Sequence, residues 1–396
     1  MVCVEKFTKI YGCEPDGVEF CPYRICPIGA HIDHQKGKIT GFAINKGINI
    51  AYRVKRNGVV ELSSLQFDKR AQWHINGVPK SKEGDWADYL RGATLALSKE
   101  HPLEFGLCGV IEGSLPIGGL SSSAALVIAF LSALCKVNHI FLSDSELISL
   151  ALSAENDYVG VNCGRLDQSC EIYSKKDHLL YLDLRDDSYE LIPQSPAMKP
   201  YKIGIFFSGV ERTLIKTKYN TRIDECRAAA YTLKTYAGIQ CESISTTVMR
   251  DVPLDVYQQY RNRLPETFVK RADHFYTEME RVEKGVRAWR DGDIERFGQT
   301  SFDSGWSSVV NWETGSDELK KMYEILRKTD GIYGARFSGA GIKGCCMALI
   351  DPSYEEYILE NVKREYLDAF PLLKANYSAH ICESANGVGS MNGENS

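Results

Sequence analysis

The chain has 396 residues, 44% hydrophobic and 25% charged, the composition of an ordinary soluble protein with room for two domains. A formal net charge of −5 offers no basic footprint for nucleic acid or an anionic membrane, so neither is expected as a partner. The 13 cysteines include no CxxC pair, and the opening MVCVEKFTKIYG lacks a signal peptide's apolar run, which together predict reduced thiols in a cytoplasm.

The first motif along the chain is PIGAHIDH at 27–34. His31, Asp33 and His34 are candidate metal ligands, but zinc sites need further Cys, His or carboxylate partners at recognisable spacing. With 8 histidines and no HExxH segment, a loop of hydrogen-bonding groups for a polyol is the better reading. ITGFAINKGINIAYRV and VVELSSLQF then read as strands, and Asn57-Gly58 between them predicts a type I′ hairpin. GLCGVIEG reads as another strand.

PIGGLSSSAA, 116–125, sets glycines and serines ahead of an apolar helix that starts near Ser122 or Ser123. Free N–H groups and the positive end of the helix dipole favour an anion there, most often phosphate. The loop is not a Walker A motif, because GxxxxGK[ST] occurs nowhere in the chain. Ser143 and Glu146 form a capping box for the next helix, which carries LISLALSAENDYVG. CGRLDQ places Asp167 in a loop between helix 147–159 and strand 179–184.

A polar stretch, RDDSYELIPQSPAMKP, separates LLYLDLR from YKIGIFFSGV and is the expected domain boundary. Amphipathic helices follow, including ETFVKRADHFYTEMERVEKGVRAW. GARFSGAGIKG fits G-x-G-x-x-G at Gly339, Gly341 and Gly344, but it runs into CCMALI, a short apolar strand, where a dinucleotide loop would open a helix. A flexible glycine loop closing over substrate remains open. Cys345 and Cys346 read as small residues of that buried strand. Strand runs and helix runs without regular alternation predict the α+β class.

Three segments together resemble the GHMP kinases, the superfamily of galactokinase, homoserine kinase, mevalonate kinase and phosphomevalonate kinase. YRICPIGAHIDHQKG looks like the galactokinase signature, PIGGLSSSAA like the superfamily's phosphate loop, and GARFSGAGIKGC like its C-terminal glycine motif. WADYLRG and AENDYVGVNCGRLDQ continue the likeness over nearly the whole chain. The resemblance implies a two-domain α+β GHMP kinase fold. A ribosomal-protein-S5-domain-2-like domain would span 1–196 and a ferredoxin-like domain 197–386, with the active site in the interdomain cleft and a disordered tail over 387–396.

The resemblance also implies roles. Asp167 would be the catalytic carboxylate at the sugar's anomeric hydroxyl, with Arg24 as its charged neighbour. Gly118, Gly119, Leu120, Ser121, Ser122, Ser123 and Ala124 would cradle ATP, with Trp86 and Tyr89 near its base. Ser123, or else Ser122, and Glu155 would hold Mg²⁺. His31, Asp33 and Tyr219 would meet sugar hydroxyls, Gly164 through its backbone.

Position 30 departs from the pattern, since galactokinases read GEH where this chain reads GAH. The missing glutamate is the one that bonds the C6 hydroxyl of galactose in that family. If C6 is instead a carboxylate, two like charges ~4 Å apart at an effective dielectric of ~20 repel by roughly 4 kcal/mol, nearly a thousandfold in binding. Ala30 removes that repulsion. Lys46, Arg165 and His34 are the candidate groups to meet the carboxylate. The string CPYRICPIGAHIDHQ resembles the galacturonate-specific branch more than the galactose-specific one, and Gly305 stands where galactokinases carry a histidine. The expected activity is phosphorylation of D-galacturonate at its anomeric hydroxyl by a cytoplasmic monomer. The rivals are a galactokinase, a kinase for another C6-modified sugar, and a non-catalytic sugar sensor. The intact GLSSSAA and the presence of Asp167, Arg24 and Glu155 argue against the sensor.

Overall fold

A computed structural model describes residues 1–210 and 219–388. Among these, the strands are β1 (Gly17–Ile25), β2 (Lys38–Lys55), β3 (Val59–Ser64), β4 (Ala71–His74), β5 (Gly106–Gly113), β6 (His178–Asp183), β7 (Ser188–Pro193), β8 (Lys202–Phe207), β9 (Ile332–Phe337), β10 (Cys345–Ile350), β11 (Ser378–Cys382) and β12 (Ser384–Ala385). The first half carries helices α1 (Val2–Tyr11), α2 (Asp88–Glu100), α3 (Ser122–Val137), α4 (Asp144–Ser153) and α5 (Leu166–Tyr173). The second carries α6 (Tyr219–Tyr236), α7 (Leu254–Tyr260), α8 (Glu266–Arg290), α9 (Ile294–Val310), α10 (Asp317–Lys328) and α11 (Glu355–Ala369). None of these helices is long and apolar enough to cross a membrane.

The strands form two sheets. An eight-stranded sheet runs β4-β3-β5-β2-β6-β7, with β1 and β12 also paired to β2, and a four-stranded sheet runs β11-β8-β10-β9. The alternation along β10 explains why CCMALI is apolar at every position. Cys345, Met347 and Leu349 enter the core shared with the first sheet, while Cys346, Ala348 and Ile350 enter the one shared with α10 and α11. A strand covered on both faces has no polar side to show. The same logic holds for α3, buried on nearly all sides against α2, α4 and the large sheet.

Three expectations are corrected. Asn57-Gly58 does make a turn, with Gly58 at φ 71, but β2 and β3 do not pair with each other. β5 lies between them, antiparallel to β2 and parallel to β3. A local turn signal fixes where the chain reverses, and long-range packing chooses the neighbour. The polar stretch between LLYLDLR and YKIGIFFSGV, read without a strand of its own, contains β7, an edge strand paired to β6 with an exposed face, which is why its composition reads as loop. Asp167 sits in the first turn of helix α5, not in a loop. The capping box at Ser143 is present, and beyond Ser153 the chain continues as a π-helical turn, Ala154–Val159. The tail expected from Gly387 lies, from 389 onward, outside the described residues.

Helix α9 approaches β9 backbone to backbone, because a Cβ on Gly298 would stand 2.1 Å from the Tyr333 carbonyl oxygen. Gly298→Ala is expected to destabilise the fold by about 1–3 kcal/mol through overpacking. A urea unfolding midpoint indistinguishable from the wild type would contradict this contact.

Candidate active site

Arg24 is the meeting point of three segments. It lies on β1, 3% exposed, and a buried guanidinium must find partners. Its Nε and Nη2 both stand 2.7 Å from Oδ1 of Asp167, and Nη1 donates to the Gly119 carbonyl at 3.1 Å. One side chain therefore joins the first sheet, α5 and the phosphate loop. Asp167 stands at the start of α5, where a helix favours negative charge, and its carboxylate remains partly open.

The PIGAHIDH loop is gripped from the second half of the chain. Gly29, at φ 100, donates its N–H to Glu278 of α8 at 2.7 Å, and the Ala30 carbonyl accepts from His274 Nε2 at 3.0 Å. Glu278 is fully buried; burial alone would raise its carboxyl, yet Arg281, His274 and Arg336 hold it down at about 2. His31, at φ 64, stacks on Trp312 with ring centroids 5.0 Å apart. Gly164 passes so close that a Cβ there would stand 2.4 Å from Oδ2 of Asp33, which only glycine permits. Burial, with Asp167 nearby, pushes the Asp33 carboxyl up to about 6. Burial and Asp33 raise the Tyr219 phenol well above its usual range, and the Tyr219 ring stands edge-on to His34. The structure thus gathers Asp167, Arg24, Asp33, Gly164 and Tyr219 at one place. Among the described residues, no group of three or more His, Cys, Asp or Glu converges closely enough to hold a metal ion.

The phosphate loop is a run of left-handed backbone, with Gly118 at φ 134, Gly119 at φ 86 and Ser121 at φ 56, delivering the chain into α3. The C-terminal glycine motif packs directly against it. A Cβ on Gly344 would meet the Gly118 carbonyl carbon at 2.6 Å, and one on Gly339 would meet the Gly119 oxygen at 2.9 Å. The glycines of GARFSGAGIKG thus serve close backbone contact. Leu120 and Ala124 are buried in the core, so what they can offer a ligand is backbone. The Ser121 hydroxyl is buried without a partner. Ser123 hydrogen-bonds Glu155, which lies 4% exposed on the π-helical turn and accepts from Gln168 Nε2 at 2.6 Å.

Trp86 lies on the rim, its ring stacked 5.9 Å from that of Phe67 and its Nε1 donating to the Lys69 carbonyl. Gln66, next to Phe67, is bonded to both the N–H and the carbonyl of Gly113, where β5 enters the phosphate loop. Sequence reasoning missed Phe67, His274 and Glu278. For the last two a signal existed: polar residues at i and i+4 in the buried stripe of α8 that also holds Phe275, Val282 and Trp289.

The comparisons agree with this geometry. Residues 5–54 match the galactokinase galactose-binding signature, 88–175 the GHMP kinases N terminal domain and 284–368 the GHMP kinases C terminal domain. A galacturonokinase of Arabidopsis thaliana is 37% identical over 93% of this chain and 92% of its own. A galactokinase of Roseiflexus sp. is 31% identical over 97% of this chain and 95% of its own. The structure of Lactococcus lactis galactokinase complexed with galactose superposes with a TM-score of 0.87 at 27% identity, covering 97% of both chains. The fold is the α+β GHMP kinase fold with its N- and C-terminal domains, and GHMP sugar kinases take their phosphoryl group from ATP. With the three motifs in register and the whole chain aligned, this protein belongs to the galactokinase family of GHMP kinases and is a sugar kinase.

Proposed function

We propose that this kinase transfers the γ-phosphoryl group of ATP to the anomeric hydroxyl of D-galacturonate, giving galacturonate 1-phosphate. Ala30 carries the proposal. It is 7% exposed and brings no carboxylate to the loop that also carries His31 and His34, so a uronate would meet no like charge from it. The 37% identity to a galacturonokinase, against 30–31% for the galactokinases, supports the same acceptor. A kinase for galactose itself is the alternative.

In this reading the anomeric hydroxyl lies against Asp167, which accepts its proton as the new O–P bond forms and ADP leaves. Phosphoryl transfer requires mainly positioning and charge stabilisation. Arg24 serves both, being bonded to Asp167 and to Gly119 of the phosphate loop. Asp33, Gly164 and Tyr219 hold the sugar hydroxyls, backbone N–H groups and serines of 118–124 hold the phosphates, and the Trp86–Phe67 pair receives the base. Ser123 and Glu155 would hold Mg²⁺. They fit a small hard cation, since Glu155 is a buried carboxyl pushed up to about 7 by burial and by Asp167, and positive charge would relieve it. When bound, Mg²⁺ offsets the negative charge of the transferring phosphoryl. The same reading divides the chain near residue 196, between β7 and β8. It also takes the protein as a cytoplasmic monomer, which the 13 free cysteines and a site built from one chain support.

Coupled ADP release with equal ATP and Mg²⁺ is expected to favour galacturonate over galactose by about tenfold or more, since a buried like charge is worth more than that. Ala30→Glu should shift preference towards galactose. Faster turnover of galactose by the wild type would sink the uronate assignment, and no ADP from any sugar or uronate would revive the sensor. Asp167→Asn should lower kcat by roughly 10²–10⁴-fold, measured on the fraction that remains folded once Arg24 loses its ion-pair partner.

Glu155 also predicts a pH dependence. Its folded value of about 7 exceeds the ordinary 4.5, so between these the folded state binds more protons than the unfolded one. Stability without Mg²⁺ and ATP therefore falls as pH rises through that window, and Asp33, at about 6, acts in the same direction. Tm measured from pH 4.5 to 7.5 should slope downward less steeply in Glu155→Gln. An identical slope in the variant would contradict the assignment.

A further inference from the structure

We propose that the C6 carboxylate of the acceptor is received by a cradle of hydrogen-bond donors that His34, His31 and Arg227 present beside Ala30. This deepens the uronate reading above and rests on it.

Gln35 fixes the tautomer of His34. The Gln35 Oε1 accepts the Met249 backbone N–H at 2.9 Å, so its Nε2 is the donor end, and that donor lies 2.9 Å from Nδ1 of His34. Nδ1 therefore accepts, and the neutral ring carries its proton on Nε2. That N–H is buried and has no partner among the described residues. His31 repeats the pattern: it is 5% exposed, its ring is pinned flat on Trp312, and its Nε2 is buried without a partner. His34 stands over the same indole, with centroids 5.5 Å apart, so both histidines meet on one aromatic ring. Buried polar groups left unpaired are rare and need an explanation, and a ligand supplies one.

Neutral imidazoles provide direction but no charge. Burial, with Arg227 and His274 nearby, lowers His34 to about 3, so the counter-charge must come from elsewhere. Arg227, on α6 beyond Tyr219, is near enough to His34 for its charge to act on it. Among the described residues its Nε is buried with no partner, and its ion pair is a loose 3.6 Å contact to Asp224, itself 68% exposed. The other cations differ. Arg222 has its Nε and Nη2 taken by the carbonyls of Trp312 and Glu313, and Arg165 is paired with Asp187. Lys46 acts on His380 and Cys382. A glutamate at position 30, next to His31 in the chain, would itself bring an acceptor to this loop. With alanine there, the donors are left for the substrate's carboxylate.

The test compares KM and kcat for D-galacturonate, its uncharged methyl ester and D-galactose, using the full chain with ATP and Mg²⁺. Arg227→Gln and His34→Phe should each raise the KM for galacturonate on the order of thirtyfold, the effect of truncating one partner of a buried hydrogen-bonded charge pair. The ester should be affected far less, so the galacturonate-to-ester preference collapses, and Arg227→Lys should restore part of it. An equal loss for all three acceptors would mean a structural role and overturn the proposal, as would an unchanged KM for galacturonate. A wild type that uses galactose but not galacturonate would overturn the uronate reading itself. A wild type that prefers galacturonate, with variants that keep the preference, would overturn this cradle alone.

Discussion

The buried guanidinium of Arg24 is the constraint on which the site depends. Its charge is out of water, so the fold must supply acceptors, and it supplies them from places 143 and 95 residues away in sequence. Removing Asp167 would leave a buried charge without its ion-pair partner, a large cost wherever it has been measured. The bond that lets Arg24 be buried also sets the Asp167 carboxylate beside the glycine loop at 118–119, where the proposed chemistry needs it. The loop is held in turn from the other sheet, where Gly344 and Gly339 press their backbone onto Gly118 and Gly119. No side chain fits between them.

A second support comes from α8. His274 and Glu278 hold the carbonyl of Ala30 and the N–H of Gly29, so a helix of the second half shapes the PIGAHIDH loop of the first. Glu278 works only because Arg281 and Arg336 balance it. At this support the charge is compensated. Nearer the proposed substrate, Glu155 and Asp33 are pushed towards neutrality, and among the described residues Nε2 of His31 and of His34 has no partner. The proposed reading gives those groups a ligand to meet.

In the proposed reading, specificity follows from subtraction as much as from addition: an alanine in place of a carboxylate would remove a repulsion and leave neighbouring donors for the substrate.

Much of this was legible in the residues. Apolar runs fixed most strands, the capping box fixed the start of α4, and three spaced motifs identified the family and its candidate residues. What failed were statements about partners. Asn57-Gly58 marked a turn but not which strand lies beside β2, because strand pairing is decided by packing between distant segments. β7 hid because an exposed edge strand has a linker's composition. The alanine at position 30 was visible as a missing charge, but the group that holds its carbonyl was not, because His274 lies 244 residues downstream. The sequence alone determined the chemistry that this chain can carry, since each motif is a local run of residues. Only the tertiary structure decided which donors are buried, paired or left open, because desolvation and pairing exist only once distant segments have packed together.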